Sequence, residues 1–163
     1  MSAARALRRA RQAVLSCERD ATTDEDTTGP RGVVFYDLPH FEDERGELTV
    51  AELNSSLPFP VVRLYMVHDV PTGGVRGNHA HRRLHQLLIG LRGSCTVLAD
   101  DGQHRREFRL DTPAHGLYIP PMIWSSQYEF SADAVLLVLA STPYDPDDYI
   151  HGYGEFLELV GRS

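Results

Sequence analysis

The chain has 163 residues, 42% of them hydrophobic, and a formal net charge of −7 with a pI near 5.5. That length suits one domain with a real core plus an appendage, and the acidic balance disfavours a nucleic-acid backbone or an anionic membrane as a partner. No apolar run approaches the roughly 20 residues of a membrane span, and the basic N-terminus lacks the apolar block of a secretory signal.

Small or apolar residues recur at Ala3, Leu7, Ala10, Val14 and Cys17, with arginines between them, which predicts a helix. Glu18 to Gly32 is rich in Asp, Glu and Thr and closes on Gly29-Pro30, so residues 1–32 read as a helical or disordered extension with an acidic linker. From Val33 the pattern is β. Strands are predicted over Val33–Tyr36, Gly46–Glu52, Val61–Val70, Leu84–Leu91, Ser94–Ala99, Arg105–Leu110, Leu117–Ile119 and Val135–Ala140. Turns at Asp43–Gly46, Thr72-Gly73-Gly74, Arg92-Gly93 and Asp100-Asp101-Gly102 separate them. Many short strands imply a sandwich or barrel. A Tyr/Asp-rich loop after Ser141 leads to a short helix predicted over Tyr153–Val160. The two cysteines, Cys17 and Cys95, sit in the tail and in an apolar strand, so a disulfide is not expected and a reducing, cytoplasmic location is.

The most informative run is Arg76-Gly77-Asn78-His79-Ala80-His81, followed by Gln86 and Gly93. Residues two apart in a strand share a face, so both imidazoles should enter one cavity. The spacing is that of ligands at the mouth of a cupin-type barrel. Yet Gln86 stands where a cupin metal site has glutamate, and Ser125, in Tyr118-Ile119-Pro120-Pro121-Met122-Ile123-Trp124-Ser125, stands where it has histidine. An amide and a hydroxyl are poor substitutes at a transition metal, although the adjoining His85 could contribute. No metal and no cofactor are expected. Proton transfer fits better, because an imidazole with a pKa of about 6.5 both accepts and donates near neutrality.

Arg63 and Tyr65 share one face of their strand, and pattern alone leaves open whether that face is the cavity or solvent. Inside, Arg63 would need an anion and Tyr65 could donate to an enolate oxygen. Arg76 reads as either a loop stabiliser or a phosphate clamp, its nearness to His79 favouring the clamp, and Arg82 and Arg83 add local positive charge. Tyr118, Trp124 and Tyr128 could form an aromatic wall, though large aromatics more often pack in a core. Asp147-Asp148-Tyr149 reads as a solvated turn outside the site. His40, His68, His104, His115 and His151 read as surface residues.

Together, Arg45-Gly46-x-Leu48, Pro58-Phe59-x-x-x-Arg63-x-Tyr65, Arg76-Gly77-x-His79-Ala80-His81, Gly93-Ser94-Cys95, Asp100-Asp101-Gly102, Gly116-Leu117-Tyr118, Val138-Leu139-Ala140-Ser141 and Tyr144-x-x-x-Asp148-Tyr149-Ile150 resemble the sugar 3,4-ketoisomerases over Val33 to Phe156. The resemblance implies an all-β cupin (a double-stranded β-helix, or jelly-roll barrel) over 33–163 with a short C-terminal helix. It implies a metal-independent cytoplasmic homodimer with exchanged N-terminal strands. The activity implied is movement of the keto group of dTDP-4-keto-6-deoxyglucose from C4 to C3. His79, His81 and Tyr65 would then be catalytic, with His79 the primary base and His81 the relay, or the reverse. Arg63, Arg76, Gln86, Tyr118, Trp124 and Ser125 would bind substrate. Two departures stand out. Many relatives carry Trp-His at Trp124-Ser125 and a second tyrosine at Met66. The alternatives are a cupin epimerase acting on the same class of ketosugar, a metal-dependent oxygenase, and a non-catalytic sugar-nucleotide-binding module.

Overall fold

The computed structural model describes residues 29–52 and 57–161. The helix expected over Ala3–Cys17 and most of the acidic linker lie outside these residues. In chain order the described residues form β1 (Val34–Asp37), β2 (His40–Asp43), β3 (Gly46–Thr49), β4 (Arg63–His68), β5 (Arg76–His81), β6 (Gln86–Arg92), β7 (Cys95–Asp100), β8 (Arg105–Leu110), β9 (His115–Ile119), β10 (Trp124–Tyr128), β11 (Val135–Ala140), β12 (Tyr149–Ile150) and α1 (Tyr153–Leu159). A 3-10 turn over Pro146–Asp148 precedes β12.

Two five-stranded antiparallel sheets carry the fold, in the orders β1-β9-β6-β11-β4 and β12-β5-β10-β7-β8, and β2 and β3 form a separate hairpin. This is the expected all-β cupin barrel. Alternation along each strand sends Leu117, Leu88, Leu136 and Val138 of the first sheet inward to meet Val97, Ala99, Phe108 and Leu110 of the second. Leu87, Ile89 and Leu139 point the other way and pack under Leu38 and Phe59 on the outer face of the first sheet. The outer face of the second sheet presents Ala80 and Trp124, which Ile150 and Phe156 cover. Phe156 is the anchor of α1 and is fully buried.

Most predicted strands appear within two residues of their expected bounds. Three short elements were not expected, β2, β10 and β12, whereas β5 is the strand on which His79 and His81 share a face. The sequence of β5, Arg-Gly-Asn-His-Ala-His, opens with turn-forming residues. Here Gly77 and Asn78 both take positive φ, 71° and 60°, and pairing skips Asn78, since Ser125 faces His79 while Ser126 faces Gly77. This is a β-bulge, a local feature that re-aims side chains. β10 reads Trp-Ser-Ser-Gln-Tyr, with hydroxyls and an amide at positions that only tertiary packing buries.

Because Leu117 is wholly buried in the inter-sheet core, Leu117→Ala should cost about 2–5 kcal/mol. Urea unfolding of the variant against the parent protein measures this.

Candidate active site

The barrel core is apolar toward β7, β8 and β9 but polar toward β4, β5 and β10. There the inward positions are Arg63, Tyr65, His79, Gln86 and Gln127 around a cavity of about 480 Å³, with Val75, Arg76, Tyr144 and Tyr149 also lining it. The open question about β4 has a clear answer. Arg63 and Tyr65 face the cavity, whereas Leu64 and Met66 are 60% and 53% exposed on the other side.

The bulge explains the position of His79. Gly77 is required here on two counts. Its φ is left-handed, and a Cβ would sit 2.7 Å from Gln127 Nε2 and 3.0 Å from the Ser125 carbonyl. The carbonyl of Gly77 then turns toward His79 Nδ1, 2.9 Å away. A carbonyl can only accept, so the proton of neutral His79 sits on Nδ1 and its Nε2 carries a bare lone pair. Burial pushes the His79 pKa below 6.5, the Gly77 hydrogen bond opposes this, and the nearby His151 lowers it further.

His81 lies behind His79, the ring centroids 4.8 Å apart and nearly perpendicular. It is buried, and its Nδ1 lies 3.1 Å from Asp148 Oδ2. Burial and the neighbouring His79 push its pKa down to about 4, against the pull of Asp148. Among the described residues, the buried side-chain nitrogens and oxygens without a hydrogen-bond partner are His81 Nε2 and Arg63 Nε. Both belong to this site. The Arg63 guanidinium stacks over Tyr65 at 5.2 Å and Tyr144 at 5.7 Å, lines the cavity beside Tyr149, and pairs with no carboxylate among the described residues. An unpaired, half-buried cation facing a cavity is a site for an anionic or oxyanion group.

Tyr65 accepts a hydrogen bond from Gln86 Nε2 at 2.8 Å. That contact fills one lone pair and leaves its O–H free as a donor. Burial pushes its pKa up to about 12, so it acts as a neutral donor. Among the described residues no cluster of three or more His, Cys, Asp or Glu side chains could hold a metal ion.

Several expected placements change. Asp148-Tyr149 is part of the site, not a solvated turn. Asp148 is 4% exposed, and the Tyr149 ring packs 4.8 Å from His79 and 4.4 Å from His81. Its acidity does not confront the cavity, because Arg83 pairs with Asp145 and Asp148 while Arg82 pairs with Glu155. Arg83 therefore serves the Asp-rich turn and Arg82 serves α1, and neither faces a substrate. Trp124 faces α1, against Tyr153 and Phe156, because Ser125 and Gln127 hold the inward positions of β10. Tyr118 lies on the outer face of the first sheet, 2.7 Å from His85 Nδ1 and stacked near Phe59. Tyr128 hydrogen-bonds to Glu107 at the sheet edge. Strand parity thus removes all three aromatics from the cavity, and Tyr144 and Tyr149 supply its aromatic wall instead. Ser125 is buried opposite His79 and lies 3.4 Å from Gln127 Nε2, so it reaches the cavity through that amide. His85 is on the outer face, away from the histidine pair. His151 is exposed, yet it stacks on Tyr149 and lies 6.1 Å from His79.

Residues 31–161 match the family model described as FdtA, WxcM-like, C-terminal. A TDP-4-oxo-6-deoxy-alpha-D-glucose-3,4-oxoisomerase of Aneurinibacillus thermoaerophilus is 43% identical over 120 residues, 74% of this chain and 86% of that protein. The chain belongs to the sugar-nucleotide 3,4-ketoisomerase family. Among solved members, QdtA of Thermoanaerobacterium thermosaccharolyticum in complex with TDP has a TM-score of 0.77 at 35% identity, covering 80% of this chain and 95% of that one. The TDP-quinovose 3,4-ketoisomerase WlaRB of Campylobacter jejuni has a TM-score of 0.75 at 39% identity, covering 78% and 98%.

The lowered histidine pKa values give a pH signature. In the unfolded chain these imidazoles take up a proton near pH 6.5, while in the folded protein they resist it. Protonation therefore favours the unfolded state, and stability should fall as pH drops from 6.5 toward 4. Urea unfolding midpoints across that range check it; His81→Asn should flatten the dependence.

Proposed function

We propose that this chain moves the keto group of dTDP-4-keto-6-deoxy-D-glucose from C4 to C3 through an enediol(ate). The observation that carries the reading is the imidazole pair: two rings 4.8 Å apart, each with Nδ1 committed elsewhere and Nε2 bare, beside a cavity with an unpaired guanidinium. The reaction needs two protons moved and no net change of oxidation level. His79 Nε2 takes the C3 proton, made acidic by the adjacent ketone, and returns it to C4. His81 Nε2 takes the O3 proton, which passes to O4. Developing charge on O4 is stabilised by the Tyr65 hydroxyl and the Arg63 guanidinium. Arg76, at the rim, meets the diphosphate. The cavity-lining position of His79 and the buried position of His81 behind it support the order base first, relay second.

Residues 33–163 carry this activity, in the cytoplasm. The family's curated and solved members that act on or bind thymidine-diphosphate compounds support the substrate class. Incubating the protein with dTDP-4-keto-6-deoxyglucose in deuterated water, with NMR of the product, tests the reading. A ketone at C3 is expected; a ketone still at C4 with deuterium at C3 or C5 would identify an epimerase instead. His79→Asn and His81→Asn should each lower turnover by at least about 10²-fold with an unchanged circular dichroism spectrum.

We also propose a homodimer with exchanged N-terminal strands. Among the described residues the β2–β3 hairpin pairs with neither large sheet. Val62, Leu64 and Met66, beside the edge of β4 that pairs with no other described strand, are 56%, 60% and 53% exposed. A contiguous apolar strip next to an unpaired strand edge is a surface for a second copy. Light scattering should give twice 18.3 kDa, and Leu64→Glu with Met66→Glu should shift it to the monomer mass. A monomeric parent protein at micromolar concentration would overturn this.

A further inference from the structure

Asp148 stands apart from the cavity-lining residues, since it faces His81 from behind. Its carboxylate receives three donors. Arg83 N–H lies 2.9 Å from Oδ1, Leu84 N–H lies 3.3 Å from Oδ2, and His81 Nδ1 lies 3.1 Å from the same Oδ2. The Arg83 guanidinium adds a fourth favourable contact, Nε to Oδ1 at 3.5 Å. The backbone of residue 148 is tied to the same segment, with Arg82 N–H donating to its carbonyl at 2.9 Å. The turn between β5 and β6 is thus clamped onto residue 148, and the clamp's remaining acceptor capacity is spent on one imidazole.

We propose that Asp148 is a positioning residue that fixes His81 as its Nδ1–H tautomer, so that Nε2 is presented as a bare base beside His79, behind the cavity wall. Neutral imidazole carries one N–H and one lone pair, and the partner of one nitrogen decides the state of the other. Surrounded by donors, the carboxylate accepts only, so Nδ1 carries the proton. The orphaned, buried His81 Nε2 is the complement of that arrangement. His79 reaches the same tautomer by a different device, the backbone carbonyl of Gly77. The charges and titratable groups around His81 are Asp148 behind it, His79 beside it, Tyr149 across its ring, and Arg63 from β4. Of these, Asp148 alone contacts Nδ1.

Asparagine cannot replace this residue. If its NH2 takes the Oδ2 place, it faces two donors, and His81 must turn its lone pair to Nδ1 and put the proton on Nε2. If the NH2 takes the Oδ1 place, it faces the Arg83 N–H. The same logic, an amide forcing the wrong histidine tautomer, operates in the serine-protease triad.

The proposal rests on the acid–base role given to His81 above, but its first measurement needs no substrate. Nitrogen-15 NMR of histidine-labelled parent protein at pH 7.5 should show the His81 proton on Nδ1; a proton on Nε2 overturns the proposal whatever reaction the protein catalyses. In Asp148→Asn the proton should move to Nε2, and kcat should fall by about 10²–10⁴-fold while KM changes less than about threefold, because Asp148 does not line the cavity. An unchanged tautomer in the variant overturns the proposal, with normal turnover or with a loss that a purely structural role would produce. Should Asp148→Asn fail to fold, the parent spectrum decides alone.

Discussion

The pairing of β5 on both of its edges is the constraint from which the site follows. On one side β10 meets it across a bulge, and on the other the two residues of β12 pair Tyr149 with His81 and Ile150 with Ala80. A strand held this way cannot slip by a residue without exchanging its two faces. Such a slip would turn His79 and His81 toward α1 and Ala80 toward the cavity. The packing of Ala80 under Ile150, Trp124 and Phe156 opposes it, so an apolar cluster outside the barrel fixes the orientation of the chemistry inside.

The polar half of the barrel is expensive for the fold. Burying an unpaired polar atom costs about 1–3 kcal/mol, and Arg63 Nε and His81 Nε2 are left that way. Other polar groups there are satisfied pairwise: Gln86 with Tyr65 and Gln127 with Ser125. The dense inter-sheet core of leucines and valines offsets that loss at a distance. The unsatisfied atoms mark where the fold yields stability to function, as expected of a site that completes its hydrogen bonds on a ligand.

The two histidines are also unequal in a way that suits a two-proton reaction. One is backed by a neutral carbonyl at the cavity wall and the other by a carboxylate in the interior. Both are kept neutral by burial over the range in which a base must be unprotonated. With their centroids 4.8 Å apart, a charge on one disfavours a charge on the other, so the pair is suited to holding one proton at a time.

Much of this was legible in the residues themselves. The period-two alternation and turn chemistry gave the β-class, and His79-Ala80-His81 gave the shared face, because both signals are local and strand geometry is regular. What could not be read was anything set by which face meets which sheet. Arg63 and Tyr65 looked equally suited to solvent until β4 was seen to turn Leu64 and Met66 outward. Trp124 and Tyr118 looked like site residues until parity placed them outside. Asp148 looked like a solvated turn residue although it lies 67 positions from its imidazole partner. Composition and spacing determined the fold class and the nature of the chemistry. The tertiary structure decided the cavity wall, the bulge at Gly77-Asn78 and the carboxylate behind His81, because strand register and long-range pairing are fixed by packing between segments that share no sequence signal.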